Sequence, residues 1–519
     1  MRRRAFLRGI GAVAGATLAP LAWAEDKPGR WLCAETSNFV FYSTLSEDKL
    51  RAEANALESF HKLLSTLLPK KQRSQLKLPV YLTASDRDFW ATAPDFKDSQ
   101  VGGFYSATTE QIRAVSNSQR GVPRQRDMPK HIRVDDTRVV LFHEYAHHFV
   151  RANSDRSYPS WYHEGFAEFI STVEFKDKGA EIGKYTYGRA SSLVTNKWLS
   201  LETVLTKNPF QLEGDDVTQF YAQAWLMTHV IFEQPERTKG FDRYIDALQA
   251  GGDTLTSFAP SFGISIADFE KLLREYRNKS VPYWTIPTIK PEAQDIPTQR
   301  LGASADELLM PVGYLRNTPS RKKASDTVNI VREQARKFPG DPFGMRASAL
   351  AEVWYGDLEE ARKQIDALKK IDARTAETEH LNGLCDLRAA QVDEKEDLYK
   401  RAQGAFGRAY NLDKTRASSM FRYVECGLGA TGEINENLLN ALLGAYDLAP
   451  QVQSIAITTA SALMQNKRFG EAVTILRPLA ADPHGEGYAS AARDMMAAAN
   501  AEEEMQMSFF GSATIEDED

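Results

Sequence analysis

Cysteine is nearly absent from this chain: three in 519 residues, Cys33, Cys385 and Cys426, with no two spaced as a C-x-x-C knuckle. A cysteine-built zinc site and a dense disulfide framework are thereby excluded. A Cys385–Cys426 bridge is permitted in an oxidising compartment, and two free buried thiols fit the sequence equally well. Long apolar runs are missing too. No segment of the mature chain has the roughly 20 apolar residues that a membrane span needs, so no stable span is expected. Charge of one sign does not dominate, with 64 Lys+Arg against 70 Asp+Glu for a net −6. Without a basic stripe, nucleic acid is not an expected partner. Histidine numbers only nine, so a cluster of histidines carries information.

The chain opens on Arg2-Arg3-Arg4-Ala5-Phe6-Leu7-Arg8, a basic stretch followed by a small, weakly apolar run from Gly9 to Pro20 and by Ala22-Trp23-Ala24. Residues 1–24 read as a bacterial twin-arginine signal peptide with an A-x-A cleavage site, which places the mature protein in the periplasm or outside the cell. The apolar run is too short for a permanent anchor. No cysteine stands at the cleavage point, which argues against a lipoprotein.

The densest chemistry lies at His143-Glu144-Tyr145-Ala146-His147 and Trp161-Tyr162-His163-Glu164-Gly165-Phe166-Ala167-Glu168. The first is an H-E-x-x-H: two imidazoles at i and i+4 share one helix face and can close on a single Zn²⁺. Glu144 sits beside that face, placed to take a proton from an attacking water. A catalytic zinc needs a third protein ligand and one open position, and Glu164 on a second helix is the candidate ligand. Glu168, one turn further on, is placed to accept the outer N–H of a liganding histidine. A third histidine six residues after His147 is ruled out, because Asn153 stands there. His148 and His163 point about 100° away from their metal-facing neighbours and are read as non-ligands.

H-E-x-x-H followed by W-x-x-E-G-x-A-E-F resembles the gluzincin metallopeptidases, especially the bacterial peptidase-MA-like group related to the M1 aminopeptidases. The strong part of the likeness covers residues 139 to 170, and weaker features extend it to about 280. It implies a zincin-like fold, a Zn²⁺ cofactor held by His143, His147 and Glu164, Glu144 as general base, and a peptide or protein substrate. The carboxylate that orients a liganding histidine in thermolysin-like relatives falls on Glu168, where they have Asp. By the same likeness Tyr221, opening an apolar helix, is the candidate to stabilise the oxyanion. Tyr185 and Tyr187 on a loop read as mobile are its rivals. Gly103, Phe104 and Tyr105 fall on the edge strand that such enzymes use to hold peptide by backbone pairing. The G-x-M-E-N sequence of M1 aminopeptidases is missing, which favours an endopeptidase.

Strand signals at Phe39–Tyr42 and Leu78–Leu82, an amphipathic helix from Asp48 to Leu67 and a hairpin over 102–115 give residues 31–280 an α+β character. The proline-spaced stretch 281–300 reads as an extended linker. Beyond it, residues 301–500 are helical throughout, with similar helix endings near Asp372, Lys414, Pro450 and Pro483, recurring after 42, 36 and 33 residues. That spacing resembles tetratricopeptide (TPR) repeats, implying an all-α domain with a surface for a substrate or protein partner. Residues 501–519 read as an acidic disordered tail. The whole reads as an exported zinc metallopeptidase with a helical-repeat domain. The competing readings are a non-catalytic periplasmic TPR scaffold with a structural or degenerate zinc site, against which the intact Glu144 speaks, and a zinc hydrolase acting on some other amide.

Overall fold

The computed structural model describes residues 28–68, 76–96, 102–118, 132–133, 137–279, 281–371, 374–482, 486–503 and 507–515. The signal-peptide reading over residues 1–24 lies outside the described residues. The chain begins β1 (Pro28–Glu35), β2 (Phe39–Ser43), α1 (Glu47–Leu67), β3 (Leu78–Thr83), α2 (Asp86–Trp90), β4 (Gly103–Ala107), β5 (Ile112–Asn117) and β6 (Ile132–Arg133). Two helices carry the metal motifs, α3 (Thr137–Asn153) and α4 (Ser160–Ser171). After them come β7 (Glu174–Lys176), β8 (Gly179–Ile182), β9 (Tyr185–Thr186), α5 (Tyr187–Thr195), α6 (Leu201–Thr206), α7 (Asp215–Glu233), α8 (Pro235–Gln249), α9 (Phe258–Phe262) and α10 (Ile266–Tyr276). The strands and helix read at Phe39, Asp48 and Leu78 form within a residue of their expected bounds. Local chemistry explains α1: the Ser46 side chain accepts from the Lys49 N–H, and Glu47 and Asp48 complement the dipole in its first turn.

β10 (Trp284–Ile286) and β11 (Thr298–Gly302) then lead to α11 (Ser304–Leu315), α12 (Arg321–Ala335), α13 (Pro342–Tyr355), α14 (Leu358–Ile371), α15 (Ala376–Asp393) and α16 (Glu396–Leu412). The last helices are α17 (Ala417–Thr431), α18 (Glu436–Leu448), α19 (Gln453–Gln465), α20 (Phe469–Ala480) and α21 (Glu486–Asn500). The architecture is therefore α+β, with a small N-terminal sheet and a long helical C-terminal region.

The sheet runs β11-β1-β2-β3-β5-β4. β2–β3 and β3–β5 are parallel and the other pairs antiparallel. Successive side chains of a strand point to opposite faces, and here both faces are apolar. Phe39, Phe41, Val80, Leu82 and Ala114 meet α1 and α3, whereas Trp31, Val115 and Leu301 pack with Leu308, Leu315, Val331 and Leu350 of α11–α13. A sheet of this kind needs a layer on each side, and the helical half supplies the second layer.

The linker reading of 281–300 is corrected by this arrangement. The stretch is extended, but β10 pairs with β8, Ile289 and Ile296 are buried, and β11 joins β1 at the edge of the main sheet. The Glu292 N–H donates to Ser59, the Gln294 N–H donates to Asn55, and Lys62 donates to the Glu292 carboxylate, tying the stretch along α1. Proline interrupted the strand signal because the segment alternates short paired pieces with prolines that cannot donate to a ladder. Residues 31–280 and 301–500 consequently share a core.

In the helical half each helix packs on the next, and α11, α13, α15 and α17 also touch their alternate neighbours, as do α19 and α21. This is a two-layer array. Inner helices α13, α15 and α19 are buried around most of their circumference, while outer α14 and α16 bury one apolar stripe. The recurring endings read in the sequence are the C-terminal ends of outer helices α14, α16, α18 and α20. The disordered-tail reading of 501–519 is corrected over residues 507–515, while residues 504–506 and 516–519 lie outside the described residues. Phe509, Phe510 and Ala513 pack on the array, and the N–H groups of Ser508, Phe510 and Ala513 donate to Ser461, Thr458 and Glu425. Its acidity suggested solvation, yet the segment before the final acidic run is apolar and small. Cys385 and Cys426 are buried free thiols.

Candidate metal centre

α3 is held by its apolar face. Leu141, Phe142, Tyr145, Ala146 and Phe149 are buried, and Phe142 stacks on Phe60 of α1 with ring centroids 4.2 Å apart. That leaves His143 and His147 facing α4. In α4, Trp161 is fully buried and Gly165 allows a close crossing with α7. A Cβ at Gly165 would lie 2.3 Å from the Ala224 carbonyl oxygen and 2.4 Å from Thr228 Oγ1, so no side chain fits. The Gly after Glu164 thus sets how deeply the carboxylate is seated between α3 and α7. Glu164 is 0 % exposed.

Three ligand atoms converge there. His143 Nε2 and His147 Nε2 are 3.1 Å apart, and Glu164 Oε2 lies 3.3 and 3.4 Å from them. Zinc bonds of about 2.0–2.1 Å in tetrahedral geometry require ligand atoms roughly 3.3 Å apart. The triangle therefore matches one face of a zinc tetrahedron, and this is the one group of metal-holding composition among the described residues. Two imidazoles and a carboxylate form a donor set that can hold a divalent metal ion, zinc among them.

Behind this triangle, Glu168 Oε1 lies 3.5 Å from His143 Nδ1. The same carboxylate is gripped by Arg189, whose Nε and Nη2 donate to it over 2.9 and 2.6 Å. Arg189 enters on α5, whose first turn is capped by Thr186 accepting from the Arg189 N–H. The guanidinium also lies 4.9 Å over the Tyr221 ring, which in turn stands 6.4 Å from the His143 ring. One arginine therefore braces both Glu168 and Tyr221. Sequence reasoning misses it, since the stretch at Tyr185–Gly188 carries only loop signals and no periodicity marks its partner 21 residues back.

Three carboxylates, Glu144, Glu164 and Glu168, act on His143. Burial opposes the His143 imidazolium, but Glu164, Glu168 and Glu144 outweigh it and lift the ring to about 9. Burial also opposes the charged Glu168, and Arg189 and His143 nevertheless hold it below the usual carboxylate range. Tyr221 is pushed well up by burial and then by Glu164 and Glu168, so its phenol is a proton donor at neutral pH. Glu144 is partly exposed, and its charge is felt by His143, Tyr221 and Tyr105.

The other residues singled out in the sequence fall as follows. Tyr185 packs against Trp225, and Tyr187 is 58 % exposed at the start of α5. Phe104 points to the sheet face away from α3, against Phe89 and Arg113. Tyr105 points to α3 and its hydroxyl shares a 3.0 Å hydrogen bond with His148 Nδ1. A Cβ at Gly103 would lie 2.9 Å from Val140, which makes Gly103 the point of closest approach between β4 and α3. These side chains are thus engaged within the protein, while among the described residues β4 pairs only with β5 and stands last in the sheet. His163 lines a small apolar pocket with Ala146, Val150, Tyr158 and Tyr162 beside His147. Burial holds both His148 and His163 neutral, at about 3.

Compared with models of protein families, with curated proteins and with solved structures, the chain matches none.

Proposed function

We propose that the protein is a zinc-dependent metallopeptidase of gluzincin type, an endopeptidase exported by the twin-arginine route. The observation that carries this reading is the triangle of His143, His147 and Glu164, with edges of 3.1, 3.3 and 3.4 Å, next to an H-E-x-x-H glutamate. Held by those residues, zinc would act as a Lewis acid toward the scissile carbonyl and the attacking water. Glu144 takes the proton from that water and passes it to the leaving amine nitrogen. The Tyr221 hydroxyl donates to the oxyanion as the carbonyl becomes tetrahedral. Glu168 fixes the tautomer and orientation of His143 through Nδ1, and Arg189 fixes Glu168. β4, at the sheet edge beside α3, offers main-chain groups to an extended substrate.

Support for the repeat reading comes from the two-layer packing of α11–α21 and from the four matching outer-helix ends. Support for export is the Arg2–Leu7 pattern with Ala22-Trp23-Ala24. The test is metal analysis of the mature protein with a peptide-library digest of wild type and Glu144→Gln. Wild type is expected to carry zinc and cut within peptides. The variant should keep zinc and lose activity on the order of a hundredfold or more. Equal turnover by the two would remove Glu144 from catalysis, and a metal-free, inert wild type would overturn the reading.

A further inference from the structure

The hairpin joining β4 to β5 ends in Thr108, Thr109, Glu110 and Gln111, and all four are bonded to the helical half. Thr108 Oγ1 donates to the Arg316 carbonyl over 3.5 Å, and the Thr109 and Ser454 hydroxyls are 2.8 Å apart. Gln111 Nε2 donates to the Gly313 carbonyl over 2.5 Å and to Asn317 Oδ1 over 2.7 Å. Glu110 lies deepest. Its carboxylate, 6 % exposed, receives His380 Nε2 and Arg422 Nε, each over 2.9 Å. Burial alone would raise its pKa, but Arg422 and His380 hold it far below the usual carboxylate range.

The C-terminal segment closes the other side of this socket. Arg422 Nη1 donates to the Gly511 carbonyl, and Glu425, bonded to Arg422, accepts from Ser512 and from the Ala513 N–H. Gly511 has φ +71°, and a Cβ there would stand 2.7 Å from Ser454 and 3.4 Å from Thr109. The inner faces of α15, α17 and α19 are therefore occupied by the chain's own hairpin and tail.

We infer that the helical half is a clamp on the edge strand beside the metal centre, with Glu110 as the positioning residue that holds β4 in register for an extended polypeptide substrate. The inference rests on the peptidase reading for the substrate and on geometry alone for the clamp. Among the described residues β4 is the last strand of its sheet, with a strand on one side only, and its other edge is the surface that a peptide would pair with. Held by Gly103 and Tyr105 against α3 but unanchored at the tip, β4 would pair at the cost of its own ordering. The Glu110 socket removes that cost, so it should act on binding of long substrates and leave the chemical step alone.

The test uses the full chain and Glu110→Gln, with Thr109→Val as a second variant should the first fail to fold. Amide exchange over residues 103–107 is expected to quicken at least tenfold, while residues 78–83 of β3 and the zinc content stay as in wild type. On a peptide of about ten residues KM should rise several-fold with kcat unchanged, and a tripeptide substrate should be cut as well as before. Unchanged exchange in β4 would overturn the clamp, as would equal losses on long and short substrates. A wild type without peptide hydrolysis would overturn the peptidase reading and the substrate half of this inference, and the exchange experiment would still decide the clamp.

Discussion

Glu168→Ala takes the acceptor away from His143 and removes the carboxylate that pairs with the Arg189 guanidinium. The carboxylate now lies 3.5 Å from His143 Nδ1 and accepts two hydrogen bonds from Arg189, at 2.9 and 2.6 Å. Losing an acceptor of this kind typically costs ten- to a hundredfold in metal affinity, or about 1.4–2.8 kcal/mol. The zinc-free fold suffers separately. Breaking a buried pair from one side costs about 3–5 kcal/mol, but Arg189 is a quarter exposed and keeps its contact with Tyr221, so roughly 2–3 kcal/mol is expected here. Adding Arg189→Met should restore part of that stability, since the charge that Glu168 balanced is then removed with it, without restoring zinc affinity, since the acceptor is still gone. A competition titration against a chromogenic chelator reads the first quantity, and urea unfolding with chelator present reads the second. Zinc affinity of Glu168→Ala within twofold of wild type would refute the reasoning and reduce Glu168 to a packing residue.

His147→Ala and Glu164→Ala should each lose the roughly one zinc per chain expected of wild type, and elemental analysis showing full occupancy in both would remove these residues from the site. Burial holds His229 at about 4, against about 6.5 in the unfolded chain. His229 therefore stabilises the fold above pH 6.5, and that stability is lost as pH falls toward 4, at up to about 1.4 kcal/mol per pH unit. Urea midpoints of His229→Gln should fall less steeply than those of wild type over this window; parallel profiles would contradict the assignment. A chain ending at Lys290 should be insoluble or unfolded, because it lacks β11 and the α11–α13 layer over Trp31 and Val115. Its recovery as a soluble, zinc-loaded protein would show that the sheet needs no second layer.

The His143, His147 and Glu164 triangle and its neighbour Glu168 were legible because the spacings involved are local. A step of four residues, from His143 to His147 and from Glu164 to Glu168, is about one helical turn, and a turn of helix has the same geometry wherever it is placed. Arg189 was not legible. Its two partners are brought together only when α5 folds back over α4 and α7, and nothing in a run of Tyr-Thr-Tyr-Gly announces that fold. Gly103, Phe104 and Tyr105 illustrate an intermediate case. The hairpin could be read from alternation, but alternation also sends Phe104 to the far face and Tyr105 under α3, so a role for this stretch falls on its main chain.

The domain boundary failed for a physical reason that bears on what the helical half does. Val40, Tyr42 and Tyr81 alternate with Phe39, Phe41 and Val80, so each strand is apolar on both faces, and a sheet with two apolar faces cannot be one side of a self-sufficient lobe. That pattern was visible in the strands themselves, whereas the linker reading attended to the prolines at 282, 287, 291 and 297. Proline marks where a ladder donor is missing, which a tether and an edge strand have in common. The two-faced strands decide between them: the cover over Trp31, Val115 and Leu301 has to come from outside residues 31–280, and α11–α13 are the elements that follow directly. Once those helices are fixed to the sheet, the rest of the array is carried to a set position over the β4–β5 hairpin, where α15, α17 and α19 receive Glu110 and Thr109. A freely tethered recruiting domain would have no reason to bury a carboxylate from the lobe that carries His143, His147 and Glu164 between its own histidine and arginine.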